Sequence, residues 1–356
     1  MAGLLGLAGT AWLSPYPRRP REGGGLRSNV GRVHTEVVAF RERGWVVTGR
    51  VRVRPETEAK VRAAIAELGY TPNLVARSLA TGATRTVGLF VPTVASSFYS
   101  AVVEEAENVL EEHGYHLLLC TTRLDGARAR RHITSLTSRS VDALLIAGDN
   151  GLTEHVPLLA EARFPVALCA WEGEVPDTLP VVTIDYEQAG YLAGRHLRGL
   201  GHERVAVLSS APHALRVQGF RRAFARDGLD VPAAAVFTAP EPTAMGGFTA
   251  ASAALAADPG VTAFFCTHDI LALGALEAAR LAGRSVPGDL SVVGHDDIDE
   301  VRVTHPALTT VAIPSRSMTR QAIELLLRAL DEGRPPVNSL QLLRSTLIVR
   351  ASSGPA

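Results

Sequence analysis

The chain has 356 residues, long enough for two or three domains and a large buried core. Its 46% apolar and 20% charged side chains are the balance of an ordinary globular protein. The 36 basic residues are matched by 36 acidic ones, which excludes a global basic field that would draw the chain onto nucleic acid; any DNA contact has to be local. Cys120, Cys169 and Cys266 each sit in an apolar run, with no C-x-x-C and no His/Cys ligand spacing, so they read as buried, reduced thiols rather than a metal or disulfide framework.

The opening MAGLLGLAGTAWLSPYP has no basic residue before its apolar stretch and is too short to span a bilayer, which makes it a poor export signal and points to a cytoplasmic chain without a membrane partner. PYPRRPREGGG, rich in Pro, Arg and Gly, is expected to be disordered, and residues 1–52 as a whole form an atypical N-terminal segment. Regular texture begins near Val53. Pro55, Glu56 and Glu58 suit a first helical turn, and Val61, Ala64, Ile65 and Leu68 recur at helical spacing. Gly69 ends that helix and Thr71-Pro72 prevents its restart. Asn73 then caps a second short helix, LVARSLA, which stops at Thr81-Gly82.

From TVGLFVP (86–92) the pattern alternates strand and helix: a helix over 97–113, YHLLLCT, a helix over 126–138, VDALLIAG, FPVALCAW and VVTID. A second set follows, with helices over 186–199, 214–228, 246–257 and 269–282 between RVAVLSS, AAVFTA, TAFFCTH and LSVVGHDD. A helix over 315–332 and a strand, LQLLRSTLIVR, close the chain. Strands alternating with helices of this length mean parallel sheets covered on both faces, so the fold class is α/β with two doubly wound subdomains: 86–185 plus 314–342, and 186–313 plus 343–351. Ligands bind beyond the carboxyl ends of such strands, and the loops there (PTVASSFY, CAWEGE, LSSAPHALR, CTHDI, GHDDIDE) carry the polar and aromatic side chains of a pocket for a small polar molecule.

VRPETEAKVRAAIAELGYTPNLVARSLATGATRTVGLFVP resembles the end of the headpiece, the hinge helix and the first core strand of LacI/GalR-type transcriptional repressors. GRHLRGLGHERVAVLSS, RVQGFRRAF, HDILALGAL, DLSVVGHDD and HPALTTV follow in the order and spacing of that family, over about Val53 to Arg350. The resemblance implies a type I periplasmic-binding-protein-like core behind a partial helical headpiece at 53–85, a homodimer, operator DNA as partner, and a small effector, a sugar first of all, in the cleft between the lobes, with no cofactor.

Carried over position by position, Arg216 matches the arginine that reaches a sugar or purine, Asp296 an acceptor for ligand hydroxyls or amines, and Phe98 an aromatic wall. His268 and Asp269 stand where many members have Asn-Asp or Ser-Asp. One carboxylate and one guanidinium can accept from and donate to neighbouring hydroxyls, and a ring can cover the apolar face of a pyranose. The plainer readings are a surface ion pair for Arg216, turn capping for Asp296 and Asp297, and core packing for Phe98. His268 is a pocket donor or a satisfied loop histidine, and Trp171 a rim aromatic or a surface Trp. Loop placement favours the cleft for Arg216 and Asp296, and capping for Asp297. Ala170 stands where many members carry Asp, so one usual acceptor is missing.

On the DNA side, Leu79 matches the hinge-helix leucine that wedges into a minor-groove step, flanked by Ala76 and Arg77, while Asn73 and Tyr70 match residues near the phosphate backbone. The family's recognition helix has no counterpart: FRERGWVVTGRVRV holds Val46, Val47, Val51, Thr48 and Gly49, poor helix formers. Two origins account for this: loss of the reading head, or translation before about Val51 that is out of frame or mis-started. The rival class, a solute-binding protein, requires an export signal and leaves LVARSLATG without a role. An enzyme is disfavoured, since no G-x-S-x-G, P-loop, metal spacing or strand-borne G-x-G-x-x-G is present.

Overall fold

The computed structural model describes residues 82–356, except 137–140, 149–151, 211–212 and 337, together with residues 55, 56, 59 and 63, which are helical. The expectations for residues 1–52 and for Tyr70, Asn73, Ala76, Arg77 and Leu79 lie outside the described residues. Gly82–Ala356 forms a single compact unit.

The first run of elements is β1 (Thr86–Val91), α1 (Ser97–Glu112), β2 (His116–Thr121), α2 (Gly126–Leu136), β3 (Ala143–Ala147), α3 (Val156–Ala160), β4 (Val166–Cys169) and β5 (Val181–Ile184). The second is α4 (Tyr186–Gly199), β6 (Val205–Ser209), α5 (Ala214–Ala225), β7 (Val236–Thr238), α6 (Ala244–Ala257), β8 (Ala263–Cys266), α7 (Asp269–Leu281), β9 (Ser291–Asp296) and β10 (Thr309–Ala312). α8 (Ser315–Glu332), β11 (Leu340–Leu343) and β12 (Thr346–Ile348) complete the chain.

These strands make two six-stranded sheets, ordered β11-β5-β4-β3-β1-β2 and β12-β10-β9-β8-β6-β7. The first is parallel throughout, with Val87 in register with both Leu117 and Ala143. The second is parallel except where β12 runs against β10. Central strands are buried along their whole length, as a sheet covered on both faces requires: β3 (ALLIA) and β8 (AFFC) have no exposed residue. In each sheet the order reverses once, at β1/β3 and at β6/β8. The loops leaving β1, β6 and β8 diverge there and open a crevice, which is where doubly wound folds hold ligands.

Three features depart from the sequence-based expectations. LQLLRSTLIVR is two strands in different sheets; Leu343 still belongs to the first, so the crossover falls at Arg344–Ser345, one residue beyond the expected boundary. β10 was not among the predicted strands, because TTVA is only four residues long and has no alternation to betray it. β2 is an edge strand whose Leu118 and Leu119 are exposed, and its Cys120 is half-buried, unlike the enclosed Cys169 and Cys266. Among the described residues no helix is long and apolar enough to cross a membrane.

The chain passes between the two sheets at Asp185, at Ile313–Pro314 and at Arg344–Ser345. Asp185 caps α4 by accepting from the Gln188 N–H at 2.8 Å. α8 returns to cover the first sheet and is tied to α1 by Arg316 and Arg320, which pair with Glu104, Glu105 and Glu112. In the second half α4 and α5 touch backbone to backbone through glycines. A methyl added at Gly190 would strike the Arg216 carbonyl, and one at Gly219 the Glu187 carbonyl. This contact sets the position of the α5 turn that carries Arg216. Gly219→Ala is therefore expected to cost about 1–3 kcal/mol in urea unfolding. Gly199→Ala, with nothing within 4 Å of the new methyl, is expected to leave the midpoint unchanged or raise stability by up to about 1 kcal/mol.

Candidate functional site

Five strand ends converge. β6 leads to His213 and Arg216 at the start of α5, β8 to Thr267, His268 and Asp269, and β9 ends in His295 and Asp296. From the other sheet come Phe98, after β1, and Glu172, after β4. Arg216 sits at the centre and is buried. Its Nε donates to Glu172 Oε2 at 2.9 Å, and its Nη1 donates to the Thr267 carbonyl and lies 3.1 Å from His295 Nδ1. Asp296 Oδ1 is 3.7 Å from the same Nη1, and the guanidinium carbon lies 4.7 Å from the centre of the buried Tyr186 ring.

Glu172 is shared. Its Oε2 also accepts from His213 Nδ1 at 2.6 Å, so one carboxylate of the first lobe holds two side chains of the second. The rings of His213 and His268 meet edge to face at 4.3 Å, and His268 Nδ1 lies 3.2 Å from Ser210 Oγ. Burial lowers the pKa of His213, His268 and His295 well below the usual histidine value, and Arg216 pushes each in the same direction, so all three are neutral. Burial pushes the Glu172 carboxyl up, against the pull of Arg216. It pushes Asp296 up to about 7, again with Arg216 opposing. Despite the concentration of His and acid, no group of three or more His, Cys, Asp or Glu side chains among the described residues is placed to hold a metal ion.

Asp296 and Asp297 have φ of 123° and 59°, a region that side-chain-bearing residues rarely enter. Such strain costs on the order of 1–3 kcal/mol per residue and persists only where the surroundings hold it. Here Asp297 is pinned by Arg350 at 2.5 Å and Arg302 at 3.2 Å; it forms ion pairs instead of the expected turn cap. Asp296 is thereby turned towards Arg216 and towards a cavity of about 270 Å³, which it lines with Phe98, Ile298, Ile313 and Arg316. Phe98 meets Tyr99 edge to face at 5.1 Å, and its neighbour Ser97 reaches across to Glu300.

The structure thus brings Arg216, Asp296 and His268 together, with Phe98 across the cavity from Asp296. It does not bring all the expected residues to that cavity. Trp171 is neither a rim nor a surface aromatic: it is buried in the apolar cluster of the first sheet with Phe90, Ile146 and Leu168, and its Nε1 donates to the Glu174 carbonyl at 2.9 Å. Asp269 is fully enclosed, and both its oxygens are used inside the fold, accepting from Thr310 Oγ1 at 2.6 Å and the Ile298 N–H at 3.0 Å. It ties α7 to the loop after β9 and to β10 itself. Glu172, His213, Tyr186 and His295 escape the sequence reading. Their one sequence signal is position at a strand end or in a strand-end loop, a property shared by dozens of residues.

A periplasmic binding protein-like domain matches residues 195–353. The chain is 32% identical to catabolite control protein A of Priestia megaterium over 302 residues, 83% of this chain and 90% of the relative. Its fold matches the transcriptional regulator CelR in complex with cellobiose, at a TM-score of 0.69 and 30% identity, covering 87% of this chain and 94% of that one. It also matches the lac repressor dimer bound to operator and the anti-inducer ONPF, at a TM-score of 0.78 and 26% identity, covering 88% and 95%. With two doubly wound sheets, a polar cluster at their switch points and full-length relatives above the 30% level, the chain belongs to the LacI family of transcriptional regulators.

Proposed function

We propose that this protein is a cytoplasmic, homodimeric transcriptional repressor whose interlobe site binds a small polar effector, a sugar first of all. The observation that carries this reading is the convergence of Arg216 and Asp296 from different strand ends of the second lobe, 3.7 Å apart, beside a cavity walled by Phe98 of the first. A guanidinium, a carboxylate and an aromatic ring are the groups that recognise a hydroxylated ring: charged partners for the hydroxyls and an apolar face for the carbons. The cellobiose complex of CelR, a relative of the same fold, favours a sugar over a nucleobase.

The mechanism follows from the three crossovers at residues 185, 313–314 and 344–345, about which the lobes can pivot. An effector touching Asp296 on one side and Phe98 on the other favours one interlobe angle over another, and only such differential affinity can shift the equilibrium. In a dimer the angle sets the separation of the segments preceding Gly82, to which Leu79, Ala76, Arg77, Asn73 and Tyr70 belong, and so the operator affinity. The groups that converge here are ones that bind hydroxyls and charges, and we read the site as a sensor rather than a catalyst.

A thermal-shift screen of monosaccharides, disaccharides, polyols and nucleobases is expected to identify the effector among the sugars. For that ligand, Arg216→Ala and Asp296→Asn are each expected to weaken binding about 10–100-fold by calorimetry, the worth of one or two charge-assisted hydrogen bonds. Unchanged affinity in both variants refutes the assignment.

The pH dependence has a fixed sign. Asp296 accepts from effector hydroxyls as a carboxylate, and its pKa stands at about 7. The binding-competent form is lost as pH falls through that value. Affinity is expected to drop about tenfold between pH 8 and pH 6, and Asp296→Asn to flatten the profile. An affinity that rises on acidification contradicts this role.

A further inference from the structure

Position 170, where an acidic acceptor is common in this family, is Ala170, yet the first lobe still brings a carboxylate to the site two residues later. Glu172 is buried together with the ion pair it makes. Its Oε2 is fully used, by Arg216 and by His213, whereas its Oε1 has no hydrogen-bond partner among the described residues. The same is true of His295 Nε2, on the ring whose Nδ1 lies 3.1 Å from Arg216 Nη1. Among the described residues, the other buried polar atoms without a partner, on His132, Arg221 and Ser339, lie on separate segments of the chain, whereas these two flank one guanidinium. They are groups that await a partner.

The charge on these residues narrows what that partner is. Arg216 carries the only positive charge of the buried cluster, because His213, His268 and His295 are neutral; the two arginines on the cavity wall, Arg302 and Arg316, are already paired, with Asp297 and Asp299 and with Glu104 and Glu105. The Arg216 charge already faces Glu172 at 2.9 Å and Asp296 at 3.7 Å. An anionic ligand would meet two acidic groups and no unshared cation, and repulsion in a water-poor site is strong. A neutral ligand rich in hydroxyls meets acceptors.

Building on the proposed effector site, we infer that Glu172 is its specificity-determining residue. Glu172 Oε1 accepts a hydrogen bond from a hydroxyl of a neutral effector, and Glu172, by occupying Arg216, excludes sugar acids and sugar phosphates. The residue also couples binding to closure, since it belongs to the first lobe while both its partners belong to the second.

The test is calorimetry on the full chain with glucose, galactose, ribose and cellobiose, each set against charged counterparts: glucuronate, galacturonate, ribose 5-phosphate and cellobionate. The wild-type chain is expected to bind at least one neutral sugar and to bind its charged counterpart at least tenfold more weakly. Glu172→Gln, which keeps the side-chain volume, is expected to lose at least tenfold in affinity for that neutral sugar and to narrow the neutral-to-acid preference, with melting temperature reported alongside as the check on folding. Equal or tighter binding of the charged counterpart by the wild type overturns the inference, even if Glu172→Gln fails to fold. So does a folded Glu172→Gln with unchanged affinity and preference. Failure of every sugar, neutral and charged alike, to bind overturns the sugar reading itself, and this inference with it.

Discussion

A guanidinium removed from water is the constraint around which this site is arranged. Taking an ion the size of Arg216 out of solvent costs several kcal/mol even after relaxation, and the fold must return that in contacts. It does so with Glu172 and Asp296 as counter-charges, the Thr267 carbonyl as an acceptor, and the face of Tyr186. These partners come from β4, β9, β8 and α4, so satisfying one side chain ties together strand ends from both sheets. The backbone contribution is as necessary. Because Gly190 and Gly219 let α4 and α5 approach to backbone contact, the turn bearing Arg216 lies low enough for its side chain to reach inward.

The same burial sets the protonation of everything around it. Three histidines that would be half-charged in water stay neutral, and the carboxyls beside them are pushed towards neutrality, Asp296 to about 7. The cluster therefore presents one cation compensated by two carboxylates, among three uncharged histidines. Such a surface suits hydroxyls, which donate and accept with equal ease, better than a compact anion. The strained backbone at Asp296 and Asp297 belongs to the same arrangement: Arg350 and Arg302 anchor Asp297, and Asp296, adjacent to it, faces the cavity.

Two sheets with the same strand order, joined by three crossovers, form a device in which small displacements count. Glu172 with Arg216 and His213, and Ser97 with Glu300, are polar contacts between lobes, beside an apolar cluster that runs on from the first sheet into the second. In the proposed mechanism a small effector acts by biasing these few polar contacts.

Most of the strands and helices were legible along the chain because apolar periodicity and terminator residues are local properties. TVGLFV, ALLIA and AFFC read as strands, and the 315–332 helix matches its expected bounds to the residue, with Gly333 capping it at φ of 62°. Family motifs added Arg216 and Asp296, which do meet. The family resemblance divided LQLLRSTLIVR between the two subdomains to within one residue, but long-range side-chain partnerships left no local mark. Trp171 and Glu172 are adjacent in one loop, yet the first turns into the apolar core and the second into the seam between lobes. Composition and order along the chain determined the α/β class and the family of this protein. Only tertiary structure decided which strand-end side chains share the buried charge of Arg216, because that choice depends on distances between residues more than forty positions apart.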